Sequence, residues 1–452
     1  MTETPNYGAQ QSSGNLAAER ADMDYAYPQH LASFVRERWS GTVPGAHPLP
    51  DPPMFEGLLS ACYQASLLRE EERSVTFRLI LCDPERLAIR QGPPSGLHKL
   101  EFPEPRPFDV QELRRLSPGA TYYRSLIGVA PYGERGLQIW GLVHSGPRWL
   151  RGDQGGRDAP PPLPSAPIVR VCGPGRVTVD CGSVVVGKLE EGVLSDSTMN
   201  VYGSRWLPDT FAPVRAELAE IHAKARDRAR EKYGEDWAPL DNDITRVIGQ
   251  HAVKRVVSAV RNSRHGGTLV IVPPELADDI LEDHYVSLKY KFAEDEPRRR
   301  FRTLIVRAMN NLAESYGRDG VSNGEEVGWE AYEASGDEEL SDLDEAIFEV
   351  AHLIAGLAAV DGAVVMTQRF ELLGFGGEIS GELPGVENVA KALDIEGDET
   401  TEEPTEGFGT RHRSAFRLCN ALPDVIAVVI SQDSNVRFVK QKDGAVTYWD
   451  QA

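Results

Sequence analysis

The sequence predicts an α/β (α+β) protein in which a mostly β, mixed N-terminal domain and a connecting helix precede a mixed sheet flanked by helices. Three observations predict it. Runs of β-branched and aromatic residues, punctuated by glycine, fill the chain up to about residue 205. In residues 209–234, Val214, Leu218, Ile221 and Ala225 recur at i, i+4, i+7 and i+11, which is one helical face. From residue 243 onward helical and strand patterns alternate, as in a layered domain. The expected division is a flexible leader at 1–28, an N-terminal domain at 29–205, a connecting helix at 206–243 and a C-terminal domain at 244–450.

The elements follow in order. The polar leader has no core-forming residues. Helices are expected at 30–39 and 54–73. Strands are expected at 74–82, 136–144, 167–173, 176–182 and 183–192, with Gly173-Pro174-Gly175 as a hairpin turn. The Gly/Pro-rich stretch 151–167 reads as a loop. The helix at 209–234 is capped by Gly234. Beyond it, "ITRVIGQHAVKRVVSAVRNS" (244–263) is helical and "GGTLVIVP" (266–273) is a buried strand. Helices are expected at 275–286 and 298–317, an acidic loop at 318–342, and an apolar helix at 343–360. Strands at 361–368 and 370–379 lead to an acidic loop at 380–406. A helix at 411–421 and strands at 424–431, 436–441 and 445–449 complete the chain.

The bulk properties exclude several function classes. With 452 residues the chain has length for two or three domains. A formal net charge of -21 leaves no basic surplus for a phosphate backbone, and it opposes docking on anionic membranes. The five cysteines have no zinc spacing, which suits a reduced, cytoplasmic setting. No signal peptide and no membrane span are expected.

"GFGTRHRSAFRL" (407–418) carries the strongest chemistry. Three adjacent cation-capable side chains repel one another unless an anion sits among them. A glycine-flanked loop entering a helix presents unpaired N–H groups, and the helix dipole favours an anion there. Thr410 can cap the helix, Arg411 and Arg413 can hold phosphate bidentately, and His412 can hydrogen-bond phosphate or share its charge. A merely solvated basic helix start is the weaker reading, because cations there oppose the dipole.

Asp361-Gly362-Ala363 lies between an apolar helix and an apolar strand, where a carboxylate can meet a metal or a hydroxyl. The same letters recur at Asp443-Gly444-Ala445, which reads as a hairpin turn. Gly266-Gly267-Thr268 is equally a ligand approach or a tight turn. "GFGGE" (374–378) matches a nucleotide loop only loosely. No Walker A, HExxH or GxSxG motif occurs. His222 reads as a surface residue, Trp140, Trp206 and Tyr122 as core, and "RNSRHGG" (261–267) as a solvated loop, with a phosphate contact as the alternative.

Taken together, "RHGGTLVIV", "DGAVV", a glycine-containing strand, "GTRHRSA" and "VIAVVIS" resemble the diadenylate cyclase (DAC) domain over about 245–450, with insertions near 295–345 and 380–406. The region before it resembles the sensor domains (DACNV-like) fused ahead of DAC domains in some bacterial proteins. The resemblance implies a cyclase that makes cyclic di-AMP from two ATP. Asp361 would hold Mg²⁺ or Mn²⁺ and activate the ribose 3′-hydroxyl. Gly362 and Ala363 would line the nucleotide, Leu373 would sit against adenine, and Gly409, Thr410, Arg411, His412 and Arg413 would hold the triphosphate. Ser431 would touch phosphate or metal. Two such domains would face each other in a homo-oligomer, and the N-terminal domain would take a ligand of its own. Gln432 stands where the family has acidic residues, with Asp433 one position further as a substitute metal ligand, and Val360 stands where many members have histidine. Two alternatives follow from these departures: a catalytically silent nucleotide-binding sensor, and a cyclase making another cyclic dinucleotide.

Overall fold

Short β-branched runs separated by glycine and proline can bury their apolar faces only by pairing, and long amphipathic runs only by packing on the resulting sheets. Both occur here. A computed structural model describes residues 25–42, 45–87, 97–146, 154–157, 164–182, 184–190, 192–195, 200–234, 236–263, 265–292, 295–318, 326–432 and 435–451. Residues 1–24 of the expected leader, and Asp433, lie outside these. The chain forms two compact units, one of Met1–Trp149 with Pro160–Ser197, the other of Leu150–Ala159 with Thr198–Ala452. Among the described residues no helix is long and apolar enough to cross a membrane.

The first unit opens with α1 (Pro28–Thr42) and α2 (Pro52–Ser66), the latter started by Asp51, whose carboxylate accepts from the Met54 N–H. The second helix ends earlier than expected. Residues 69–74 form a small hairpin, β1 (Arg69–Glu70) and β2 (Arg73–Ser74), turned by Glu71 and Glu72 at φ 47 and 66°. Then come β3 (Phe77–Leu81), β4 (His98–Pro107), α3 (Val110–Leu116), β5 (Ser125–Pro131), β6 (Leu137–His144), β7 (Pro167–Gly173), β8 (Arg176–Cys181), β9 (Val184–Glu190) and β10 (Val193–Ser195). They build one eight-stranded sheet in the order β10-β9-β8-β7-β3-β5-β6-β4. Only the β3–β5 pair is parallel among its strands. The sequence pattern did not reveal β4, β5 or α3. β4 carries Pro103 and Pro105, which the ladder tolerates because β4 is an edge strand. Trp140 is core, as expected: its Nε1–H donates to the Cys82 carbonyl at 2.9 Å. Its ring covers Gly128, where a Cβ would lie 2.2 Å away.

The second unit starts with α4 (Trp206–Thr210), α5 (Ala212–Tyr233), α6 (Ile244–Ser263), β11 (Gly267–Val272), α7 (Ala277–Leu281), β12 (Val286–Lys291), α8 (Asp295–Arg318), α9 (Trp329–Ala334) and α10 (Glu338–Ala358). It continues with β13 (Ala363–Thr367), β14 (Leu372–Ile379), β15 (Asn388–Ala392), β16 (Thr400–Pro404), α11 (Thr410–Ala421), β17 (Ile426–Ile430), β18 (Val436–Lys442) and β19 (Ala445–Gln451). Its nine-stranded sheet runs β12-β14-β13-β11-β17-β18-β19-β15-β16. Strand periodicity sorts side chains onto two faces. Leu269, Ile271, Val364 and Val428 pack under α6, α8 and α10, whereas Val270, Val272, Val365 and Val429 pack under α11.

Several expectations need correction here. Residues 380–406 are not a loop: β15 and β16 pair antiparallel, and the Asp394 carboxylate closes their turn by accepting the N–H groups of Glu396 and Gly397. The helix expected at 275–286 is only the short α7, and Val286 begins a strand. The acidic stretch 318–342 holds α9 and the start of α10. Asp337 caps α10, and Glu338 and Glu339 suit the positive end of its dipole, so acidity here marks a helix start. His222 is not a surface residue. It is buried on α5, bonded through Nδ1 to Asn310 Oδ1 at 2.8 Å, and burial lowers its pKa. Gly234 caps that helix at φ 69°, as expected. Trp206 is partly buried against Trp449, with ring centres 4.5 Å apart.

Candidate functional site

The register of three central strands assembles the site. β11 pairs in parallel with β13, matching Thr268 to Ala363, and antiparallel with β17, matching Gly267 to Ile430. Gly266, Asp361–Gly362 and Ser431–Gln432 therefore emerge at the same end of the sheet. Neighbouring strands lie about 4.8 Å apart, so Gly362 and Ser431 flank Gly266 within about 10 Å of each other. The helices α6 and α10 feed two of these points, ending at Ser263 and Ala358.

α11 brings the cationic group to the same place. Arg411 Nη1 lies 3.1 Å from where a Cβ on Gly266 would stand, and that glycine has φ +66°. The protein's own guanidinium thus uses the space that the glycine leaves open. Gly362, at φ +114°, is equally constrained, because a Cβ would sit 2.6 Å from the Gly376 carbonyl carbon. The identical letters at 443–445 behave differently. Asp443 and Gly444, at φ 50 and 84°, turn the β18–β19 hairpin, as expected. The glycines of "GFGGE" serve sheet packing: a Cβ on Gly374 would meet the Tyr290 carbonyl at 2.4 Å.

The side chains divide by exposure. Asp361, Gly409, Thr410, Arg411, Arg413 and Gln432 are exposed, while Gly362, His412 and Ser431 are half-buried. Neither Arg411 nor Arg413 has an ion-pair partner among the described residues. Gly409 is the N-cap of α11 and Thr410 its first helical residue, so Thr410 is not the cap that the sequence suggested. Among the described residues no side chain caps this helix, so its first N–H groups are available to an anion.

Two expected roles change. His412 does not share the positive charge: burial, then the Arg437 and Arg411 guanidiniums, push its pKa down to about 4. Arg437 Nη1 lies 3.3 Å from His412 Nε2, so a neutral imidazole accepts there and carries its proton on Nδ1. Leu373 has no exposed surface and packs in the core beneath α11, so it backs the site instead of touching a base. Ala363 is likewise buried. Ser431 Oγ accepts the Asn435 N–H at 3.1 Å, bracing the turn into β18.

The sequence reading missed the support behind His412. Arg437 donates through Nε to Asp450 Oδ1 at 2.7 Å and lies over the rings of Phe408 and Tyr448, each 5.4 Å away. Tyr448 Oη donates to Glu403 Oε2 at 2.6 Å. The signal was available in the hairpin: counting outward from the Asp443–Gly444 turn pairs Arg437 with Asp450.

Among the described residues no three His, Cys, Asp or Glu side chains gather as a metal cluster. One exposed carboxylate and one hydroxyl suit a Mg²⁺ or Mn²⁺ carried largely by nucleotide phosphates, since Mg²⁺ is commonly held by one or two carboxylates plus substrate. They do not suit an all-protein metal cage. A cavity of about 350 Å³ lined by Arg300, Phe301, Leu353 and Leu372 lies under the other helical layer and includes none of these residues. The candidate site is therefore an open end of the sheet.

Residues 45–144 match the family described as "Probable sensor domain DACNV". This places a sensor-type domain in the first unit. No curated protein matches the chain.

Proposed function

We propose that the second unit is a diadenylate cyclase regulated by the sensor-type domain that precedes it. One observation carries this reading: two exposed arginines, without ion-pair partners among the described residues, start a helix beside the sheet end where Asp361, Gly266 and Ser431 converge. In this reading Arg411, Arg413 and the open N–H groups of α11 hold the ATP triphosphate, with the His412 Nδ1–H as a neutral donor. In the same reading Asp361 accepts the proton of a ribose 3′-hydroxyl. Mg²⁺ or Mn²⁺, held by Asp361 and the phosphates, would supply charge neutralisation at the reacting phosphate. The 3′-oxygen of each ATP attacks the α-phosphate of the other. Two P–O bonds form, two pyrophosphates leave, and cyclic di-AMP results. Each unit holds one ATP, so two copies of the chain must face each other and an isolated copy is inactive.

Incubation with each nucleoside triphosphate and Mn²⁺ or Mg²⁺, followed by mass spectrometry, tests this. Cyclic di-AMP should form from ATP, and Asp361→Asn and Arg411→Ala should abolish it. Product persisting in Asp361→Asn would remove the role given to that carboxylate. A second reading, a silent nucleotide-binding sensor, is favoured by the thin metal-donor set beside Gln432. It predicts ATP binding without turnover. A third, a cyclase for another cyclic dinucleotide, predicts product from a different triphosphate.

A further inference from the structure

Residues 150–159 belong to the second unit, although the chain on both sides of them belongs to the first. Of these, Gln154–Arg157 are described, and Gly155 and Gly156 are buried. They occupy a built cleft on α6, α9 and α10. At its floor, Arg255 of α6 is ion-paired with Asp344 of α10, both with only 3% of their surface exposed. The same guanidinium donates through Nε to the Gly155 carbonyl at 2.6 Å. Tyr332 of α9 donates its hydroxyl to Asp344 Oδ1 at 2.9 Å, completing the floor.

The cleft accepts only this shape of chain. Gly155 has φ +85°, and a Cβ there would stand 2.4 Å from the His251 carbonyl oxygen. At the rim, Arg157 donates to the carbonyls of Tyr332 and Ser335, at 3.2 and 3.0 Å, and to Ser341 Oγ at 2.7 Å. One glycine carbonyl and one arginine thus tie α6, α9 and α10 to a single segment. That segment lies between β6 and β7, two strands of the sheet that carries most of the sensor-type match.

Both main helices of the cleft lead straight to the candidate site. α6 runs into Gly266, and α10 runs into Asp361. The far end of α10 also packs on the first site strand, with Ala358 Cβ 3.0 Å from the Cβ position of Gly267.

We propose that residues 154–157 are a clip: the β6–β7 connection is bound by a cleft of the second unit, clamps α6 to α10, and through them sets the Gly266 and Asp361 loops. The clamping stands on the contacts above; its effect on nucleotide rests on the site reading under Proposed function.

Hydrogen exchange read by mass spectrometry on the full chain tests it, comparing wild type with Gly155→Val and Arg157→Ala. Arg157→Ala keeps the Arg255–Asp344 pair, so it reports even if the glycine variant fails to fold. We expect exchange in α6, α10 and the peptides spanning 265–268 and 359–363 to quicken by about ten-fold, with α11 and the β18–β19 hairpin unchanged, as for local opening of one cooperative segment. Unchanged exchange in α6 and α10 in Arg157→Ala overturns the clip. A uniform rise through the whole second unit overturns the relay. ATP titration of the same samples separates the two claims. Failure of wild type to bind ATP sinks the site reading, while the exchange result still decides the clamp.

Discussion

The second unit contains two glycine–arginine segments with opposite fates. In Gly155-Gly156-Arg157 the glycines are buried, and Arg157 donates to three fixed acceptors across the rim of a cleft whose floor is the Arg255–Asp344 pair. In Gly409-Thr410-Arg411-His412-Arg413 the arginines are exposed and have no ion-pair partners among the described residues. The sequences look alike in their chemistry, but acceptor supply separates them. Arginines with all their acceptors in place hold structure together. Arginines gathered at a helix start, with no ion-pair acceptor among the described residues, are the basis on which an anion site is proposed there.

The contrast can be broken most forcefully at its buried end. Asp344→Ala strands the Arg255 guanidinium, and removing one partner of a buried pair costs about 3–5 kcal/mol. Arg411→Ala, by contrast, should change stability by no more than about 0.5 kcal/mol, as surface substitutions do. Urea unfolding of the two variants measures both, and equal losses would erase the distinction between the two segments.

Gly362→Ala comes next. The substitution forces a Cβ to within 2.6 Å of the Gly376 carbonyl carbon in a left-handed conformation, so it should cost about 1–3 kcal/mol. Gly444→Ala also sits at positive φ, but among the described residues nothing lies within 4 Å of its Cβ position, so its loss should be smaller. Denaturation midpoints that rank the two in reverse would show that the close approach at Gly362 has been misjudged.

The smallest effect is a pH dependence. Burial, with Arg437 and Arg411 nearby, lowers the His412 pKa from the model-peptide value of 6.5 to about 4. The folded state therefore binds this proton less readily than the unfolded state. The stability it contributes is present above pH 6.5 and is lost as pH falls toward 4. Urea midpoints at pH 7 and 5 should fall in that order, and His412→Gln should reduce the drop. A variant whose pH response matches wild type would place the acid sensitivity elsewhere, for instance at His251, whose pKa burial also lowers to about 4.

Much of this was legible in the sequence, and the reasons are physical. The long helices α5, α6, α8 and α10 carry sustained helical periodicity, and β11, β13 and β17 are continuous apolar runs because both their faces are covered. Strands whose side chains face solvent were not legible. β16 reads Thr-Thr-Glu-Glu-Pro and is held by backbone pairing to β15, a contact that side-chain pattern does not encode. The residue types of the candidate site could be read locally, because three adjacent cation-capable side chains at 411–413 stand out in an acidic sequence. Their neighbours could not. That Gly266 lies beneath Arg411, and that Arg437 fixes the His412 tautomer, depends on strand register. The same limit hid the fate of residues 154–157, which composition alone assigned to a loop.

The proposed activity depends most heavily on Arg411 and Arg413 binding a nucleoside triphosphate. Calorimetric titration of ATP with Mg²⁺ into wild type and into the Arg411→Ala/Arg413→Ala double variant tests this directly. Hydrogen bonds to charged groups are worth about 1.5–3 kcal/mol each, so the double variant should bind at least about 100-fold more weakly while unfolding at an unchanged urea midpoint. Equal ATP affinity in the two proteins would contradict the account.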